Sequence, residues 1–392
     1  MCWDVRCHHE CAACAHLWCT WSRRCHACER GGSLSWVWPP FRPDGDCRCV
    51  SVKLLLVSAD RTTDSGVPTN LGDALLTDAL AAGVRSRGHD VSVADFGALR
   101  TVGIEAREKL TGPWGLIREI RNADAVIVGG GTLLQDDQPS ELFGGLPRLI
   151  LFVSLIGWIS RTPVVYFGVG CDPIARWTMR CLVRLAVKGR RVWARDLESV
   201  QRCADLLKIK VELAADVSLL FADRLGDLIA SSNVAQSNQL VLALTALDAQ
   251  TLTSHAVARF KSEFDTIVFV PMHQGEDRGD SESLLDEVGS QIEVLRGLTW
   301  EDTVTVFGRS KMVIASRMHA MYISAMVGVP VAALGSSPKI DAFISEFGIS
   351  RIEGIDGWSA ITPLADAVSV AMARARVEAQ LDSALRHLGS VL

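Results

Sequence analysis

No run of the chain reaches the ~18 apolar residues that a membrane-spanning helix needs. The longest apolar stretch, Leu149 to Ile159, is closed by Ser160 and Arg161 and reads as a buried core helix or an interdomain helix. An excess of positive charge is missing as well. Forty Lys and Arg face 45 Asp and Glu, for a formal net charge of −5. No global basic field exists to draw in nucleic acid, which lowers the case for that partner class. Cysteine is scarce over most of the length. Beyond residue 50 only Cys171, Cys181 and Cys203 occur, so this part carries no disulfide framework and suits a reduced, cytoplasmic setting.

The first 49 residues lack other things: lysine, isoleucine, asparagine, glutamine and tyrosine. They hold nine of the 12 cysteines and five of the 11 tryptophans, with neither a helical nor a strand period. The apolar run that follows a basic start in a signal peptide is absent. The missing residue types are mostly those of A/T-rich codons. Residues 1–49 therefore read as a non-native or disordered extension, translated from too early a start, with the functional protein beginning near Val50. A zinc knuckle is the competing reading. Cys11-x-x-Cys14 and Cys25-x-x-Cys28 offer four thiolates that could close a tetrahedral site. Zinc would then add roughly 10 kcal/mol or more to the folding of a segment too small for its own core.

From Lys53 onward, short apolar runs alternate with helical stretches. Lys53–Ser58, Val91–Ala94, Ala125–Val128, Pro163–Phe167 and Arg191–Ala194 read as strands, and Asp73–Arg87 as the first helix. After a polar stretch from Ser231 to Asn238 the alternation resumes, with strands at Leu240–Leu244, Thr266–Val270, Met312–Ala315 and Pro330–Leu334. Helices are expected at Ser254–Glu263, Thr303–Ser310, Met318–Val327 and Ile340–Phe347, and a last one from about Pro363 to Leu388. Apolar strands in such alternation indicate parallel sheets covered on both faces. The fold class is α/β: two Rossmann-like, doubly wound domains, 50–230 and 239–392, facing a cleft. Ligands of such sheets sit beyond the carboxyl ends of the strands.

Four motifs fall at those strand ends. Asn70-Leu-Gly72-Asp73 lies between the first strand and its helix, with Asp73 at the expected N-cap. It is either a site for an anion or a sugar hydroxyl, or an ordinary capped turn. Gly129-Gly130-Gly131-Thr132 reads as a loop at the end of a strand. It lets a ligand approach the backbone, or it lets neighbouring elements pack closely. Phe167-Gly168-Val-Gly170 has the same character. Ser316-Arg317-Met318-His319 opens a helix with a planar cation for carboxylate or phosphate and a proton carrier. Pro338-Lys339 opens another, with a lysine that either joins the anion site or lies in solvent. His273, with Asp277 and Asp280 near it, is an acid–base or sugar-binding candidate or a polar surface loop. Arg195-Asp196, with Ser199, and Asp216 look like capped helix starts.

The ordered set Asn70-x-Gly72-Asp73, Gly129-Gly-Gly-Thr132, Arg195-Asp-x-x-Ser199, Ala215-Asp216, Ser316-Arg-x-His319-Ala320 and Pro338-Lys339 resembles the polysaccharide pyruvyl transferases. The likeness runs from about residue 53 to residue 350. It implies an architecture like that of type B glycosyltransferases, phosphoenolpyruvate as donor substrate, no cofactor and no metal. The acceptor would be a sugar of a glycan or its lipid-linked precursor, on the cytoplasmic side of a membrane. The product would be a cyclic pyruvate ketal, with release of phosphate. His319 would then be the general acid, and Arg317 and Lys339, with Gly129, Gly130, Gly131 and Thr132, would hold the donor. The base would be the same histidine or Asp73, and Asn70, Gly72, His273, Arg195 and Asp216 belong to the acceptor side of the cleft. A nucleotide-sugar glycosyltransferase on the same architecture, or a non-catalytic glycan-binding relative, is the alternative.

Overall fold

The computed structural model describes residues 51–96, 107–110, 112–136, 145–231, 236–273, 291–355 and 365–392. The zinc-knuckle cysteines, Asp277 and Asp280 lie outside the described residues, and the polar stretch 231–238 lies partly outside them. Cys49–Leu392 form one compact unit.

Seven parallel strands make the first sheet: β1 (Lys53–Val57), β2 (Asp90–Asp95), β3 (Arg107–Lys109), β4 (Ala125–Leu134), β5 (Val164–Cys171), β6 (Val192–Ala194) and β7 (Glu212–Leu213). Their order is β3-β2-β1-β4-β5-β6-β7. Six more make the second: β8 (Gln239–Ala243), β9 (Thr266–Phe269), β10 (Glu293–Val294), β11 (Met312–Ala315), β12 (Val331–Leu334) and β13 (Arg351–Ile352). That sheet runs β10-β9-β8-β11-β12-β13, the same winding again, and every pair in both sheets is parallel. Each sheet reverses its order at one point, between β1 and β4 and between β8 and β11. A crevice for ligands opens there at the carboxyl ends.

Strand β1 shows why both faces need cover. Leu54 and Leu56 join one buried cluster, while Leu55 and Val57 join the other, as a two-residue side-chain period requires. The helices that supply the cover in the first half are α1 (Leu71–Arg85), α2 (Gly112–Asn122), α3 (Leu146–Ser160), α4 (Trp177–Val187), α5 (Leu197–Arg202) and α6 (Ala222–Ser231). In the second half they are α7 (Ala246–Ala249), α8 (Ser254–Glu263), α9 (Trp300–Arg309), α10 (Met318–Met326), α11 (Pro338–Phe347) and α12 (Ala367–Val391). One apolar cluster takes in side chains from both sheets, so the halves share a core.

Three expectations change. The glycine run is not a loop: Gly129–Gly131 lie inside β4, and Gly168 and Gly170 lie inside β5. The strands continue there because glycine accepts the positive φ of Gly130 and Gly131 (74° and 90°) without a steric cost. Helix α3 is not a buried core helix. Ile150, Val153 and Gly157 face the sheet, but Leu155, Trp158 and Ile159 are exposed. Helix α12, read with the second half, returns to the first. It buries the stripe Ala373, Val377, Leu381, Ala384 and Leu388. Trp193 Nε1 donates to Gln380 Oε1 at 3.0 Å, and Arg87 and Arg374 pair with Asp382 and Asp223.

Candidate active site

The loops beyond β1 and β11 lead into α1 and α10, whose N-termini meet in the cleft. Asn70 starts α1. Its Oδ1 accepts from the backbone N–H of Gly72 (2.9 Å) and of Asp73 (3.4 Å), so Asn70 is the N-cap in place of Asp73. The Asp73 carboxylate is thereby spared from capping and lines the cavity. The second half is joined at this point. Leu71 N–H donates to Met272 O at 2.9 Å, and Asn70 and His273 form an isolated antiparallel bridge.

Gly72 determines where the histidine of α10 goes. A Cβ added there would overlap Nδ1 of His319, so the imidazole fills the space a side chain would need. On the ring's other side, His319 Nε2 faces Asp216 Oδ2 at 3.7 Å. That is ion-pair distance, longer than a hydrogen bond, and neither atom has another partner among the described residues. Asp216 is fully buried and caps the 3₁₀ turn Val217–Phe221. Its Oδ1 accepts from Ser218 N–H (3.0 Å) and Ser218 Oγ (2.7 Å). Burial pushes the Asp216 carboxyl up, but His319, Arg195 and Ser218 outweigh it and hold it below its ordinary value. Asp216 therefore stands behind the histidine as a carboxylate.

Arg195 is 3% exposed at the end of β6, yet its guanidinium reaches the cavity wall. Its Nε donates to Asp196 at 2.9 Å, and it lies so close to Gly170 that a Cβ there would stand 2.9 Å from Cζ. Burial lowers its pKa, and Asp196 and Asp216 raise it above the ordinary value. Asp196 caps α5 through Ser199 N–H (2.7 Å), while Ser199 Oγ accepts from Cys171 N–H at 2.9 Å. The whole Arg195–Ser199 motif is thus a bracket that holds one buried cation. The Asp73 carboxyl is raised above its ordinary value by burial and by Asp60, against His319, Arg195 and Arg61.

The cavity encloses about 810 Å³, within the ~300–1,000 Å³ usual for ligand sites. From the second half come Arg317, His319 and Lys339, each near a helix N-terminus. Ser316 Oγ accepts from Thr245 N–H at 2.8 Å and ties that loop to the end of β8. Lys339 Nζ reaches across the cleft to Asp172 Oδ2 at 2.8 Å. Of the glycine motif, only Thr132 reaches the cavity wall. Gly129 abuts Phe167 O, Gly130 abuts Leu76, and a Cβ on Gly131 would stand 2.9 Å from Asp73 Oδ1, so close packing is their role. His273 lines the mouth. Sequence reasoning missed Arg61, Arg202 and Asp172, which also line it. They sit in no motif, although Asp172 directly follows β5 and strand ends are where such residues are sought. No cluster among the described residues could hold a metal ion.

No curated protein is detectably similar to the chain in sequence. In structure it is similar to Anabaena HepE in complex with UDP-glucose, at 13% identity over 87% of this chain and 100% of that one, with a TM-score of 0.55. It is also similar to the UDP-N-acetylglucosamine 2-epimerase of Rickettsia bellii, at 10% identity, 87% and 98% coverage and a TM-score of 0.51. At such identities the likeness concerns the fold alone, two Rossmann-like halves in the type B glycosyltransferase arrangement. The sequence model of the polysaccharide pyruvyl transferases matches residues 70–338, from the cap of α1 through the histidine of α10 to the first residue of α11. A match over that much of the chain makes it a member of the polysaccharide pyruvyl transferase family, and so a transferase.

Proposed function

We propose that the protein transfers the pyruvyl group of phosphoenolpyruvate to two hydroxyls of one sugar, forming a cyclic ketal and releasing phosphate. The observation that carries this reading is the histidine held between Gly72 and the Asp216 carboxylate, in a cavity walled by arginines and a lysine. The donor is a small trianion. Arg317 supplies a planar fork and Lys339 a point charge from adjoining helix starts, and Arg195 adds a third cation. For the donor to bind Lys339, it displaces or bridges the Asp172 contact.

With Nε2 turned to Asp216, Nδ1 is the nitrogen left to serve the substrate. Protonated His319 gives its proton to the methylene carbon of the enol, which becomes the methyl group. The adjoining carbon turns electrophilic, and a sugar hydroxyl adds to it while Asp73 takes its proton. A raised pKa suits Asp73 to that task. Phosphate then leaves with its bonding electrons, and the second hydroxyl closes the ketal. Of the two hydroxyl protons, one ends on the methyl group and one on phosphate, so atoms and charge balance. The acceptor in this reading is a sugar of a glycan or of its lipid-linked precursor, and the cavity is larger than the donor alone requires.

Phosphate release from phosphoenolpyruvate, dependent on a glycan acceptor, tests the reading. Phosphoenolpyruvate should raise the unfolding midpoint, because a ligand at 100 times its Kd adds about 2.7 kcal/mol of stability. UDP-glucose should not. The opposite pattern would favour a nucleotide-sugar transferase on the same fold.

A further inference from the structure

We infer that the outward faces of α3 and α4 form a docking surface for an anionic phospholipid bilayer. Helix α3 carries one charged residue, Arg148, and is apolar almost all round, yet it lies on the outside of the molecule. A globular protein normally buries such a helix. Leu155, Trp158 and Ile159 are 48, 72 and 63% exposed, and Leu185 on the adjoining α4 is 58% exposed. Exposed apolar side chains that gather on one face mark a contact surface, and tryptophan favours the headgroup level of a membrane.

Charge identifies the partner. From Gly145 through Arg191 the sequence holds eight Lys or Arg and one acid, Asp172. Arg176 and Arg191 pair with Asp136 and Glu212 outside that span, which leaves an excess of positive charge in a chain whose net charge is −5. Arg161, Arg184 and Lys188 are exposed and make no ion pair among the described residues. Apolar groups ringed by cations match a bilayer, with acyl chains under an anionic headgroup layer. At the C-terminus of α3 a shallow hollow of about 580 Å³ is lined by Trp158, Ile159, Arg161 and Arg190. A second copy of the chain is a poorer occupant, because a two-fold axis would set this cationic patch against itself. No helix among the described residues is long and apolar enough to cross a membrane, so α3 would lie in the interface plane. The surface also reaches the site, since Gly145 and Leu146, at the other end of α3, line the reaction cavity. The inference does not rest on the donor chemistry.

Co-sedimentation of the full chain with vesicles tests it. The chain should bind vesicles of phosphatidylcholine with phosphatidylglycerol about tenfold or more tightly than phosphatidylcholine alone. About 1 M salt, where the Debye length is ~3 Å, should release it. Trp158→Ser with Ile159→Ser, and separately Arg184→Glu with Lys188→Glu, should each weaken binding about tenfold. Their unfolding midpoints and their phosphate release with soluble substrates should stay at the parent value. Equal binding to both vesicle types, binding that survives in both variants, or a solution dimer dissolved by the Trp158 and Ile159 changes would overturn the inference.

Discussion

The two halves repeat one winding but hold their charged groups at the cleft in different ways. The first half contributes Arg61, Asp73, Asp172, Arg195 and Arg202 to the cavity wall, with Asp216 buried behind it. Its Arg195 and Asp216 are buried and held by local hydrogen bonds. The second half contributes Arg317, His319 and Lys339, on helix starts that face the opening. Neither half is complete alone. His319 belongs to α10, but Gly72 shapes its seat and Asp216 lies behind it, both from the first half. The repeated fold supplies two similar platforms, and the chemistry depends on their being dissimilar where they meet.

Breaking that apposition at its centre should have the largest effect. His319→Gln should lower kcat by roughly 10²–10⁴-fold, the scale of one general acid–base group, with donor affinity changed much less. Gly72→Ala removes no catalytic side chain but fills the seat of the imidazole and displaces it. A displacement of about 1 Å can cost about 10²-fold in rate, and a loss of that size is expected in kcat. An alanine variant with parent turnover would show that His319 needs no contact with Gly72.

Arg317→Lys tests the second half's side of the contrast. Losing a bidentate, charge-assisted contact worth about 1.5–3 kcal/mol should raise the Kd for phosphoenolpyruvate by roughly 10- to 100-fold, measured by calorimetry. Unchanged donor affinity would place the donor elsewhere in the cavity.

Two stability measurements sharpen the comparison further. Trp300 of α9 donates through Nε1 to Asp78 Oδ2 of α1 at 2.8 Å, and its ring lies 5.3 Å from that of Phe221. Trp300→Phe keeps an aromatic ring and removes one bond between the halves, which should cost about 1–3 kcal/mol in chemical denaturation. Asp216 contributes through its depressed carboxyl. Its stabilisation is fully present above the ordinary value of 3.8 and is lost as pH falls through the folded value. The stability gap between the parent and Asp216→Asn should therefore close in acid. A gap independent of pH would assign the residue's effect to its capping bonds with Ser218 alone.

Most helices and strands were legible because each rests on a short-range rule. The helix Ser254–Glu263 is read to the residue, from the Thr253 cap through the buried stripe Ala256, Val257 and Phe260. The glycines were the weak point. Three in a row after Val128 satisfy a ligand-binding turn and a close-packed strand equally well. Only the neighbours Phe167, Leu76 and Asp73 distinguish the two. The α3 helix was misplaced for a related reason. An apolar run records that contact with water is unfavourable, but not which of its faces the sheet will cover.

By itself the sequence determined the alternation of strands and helices, the capped helix start at Asp196, and the chemistry offered at the strand ends. Those features follow from side-chain period and from hydrogen bonds that close within three or four residues. Only the tertiary structure decided that Gly72 would make room for His319, that Asp216 would stand behind it, and that Lys339 would reach Asp172. Such contacts join residues far apart in the chain. They exist because two sheets share one apolar core, and the packing of that core sets which strand ends face each other.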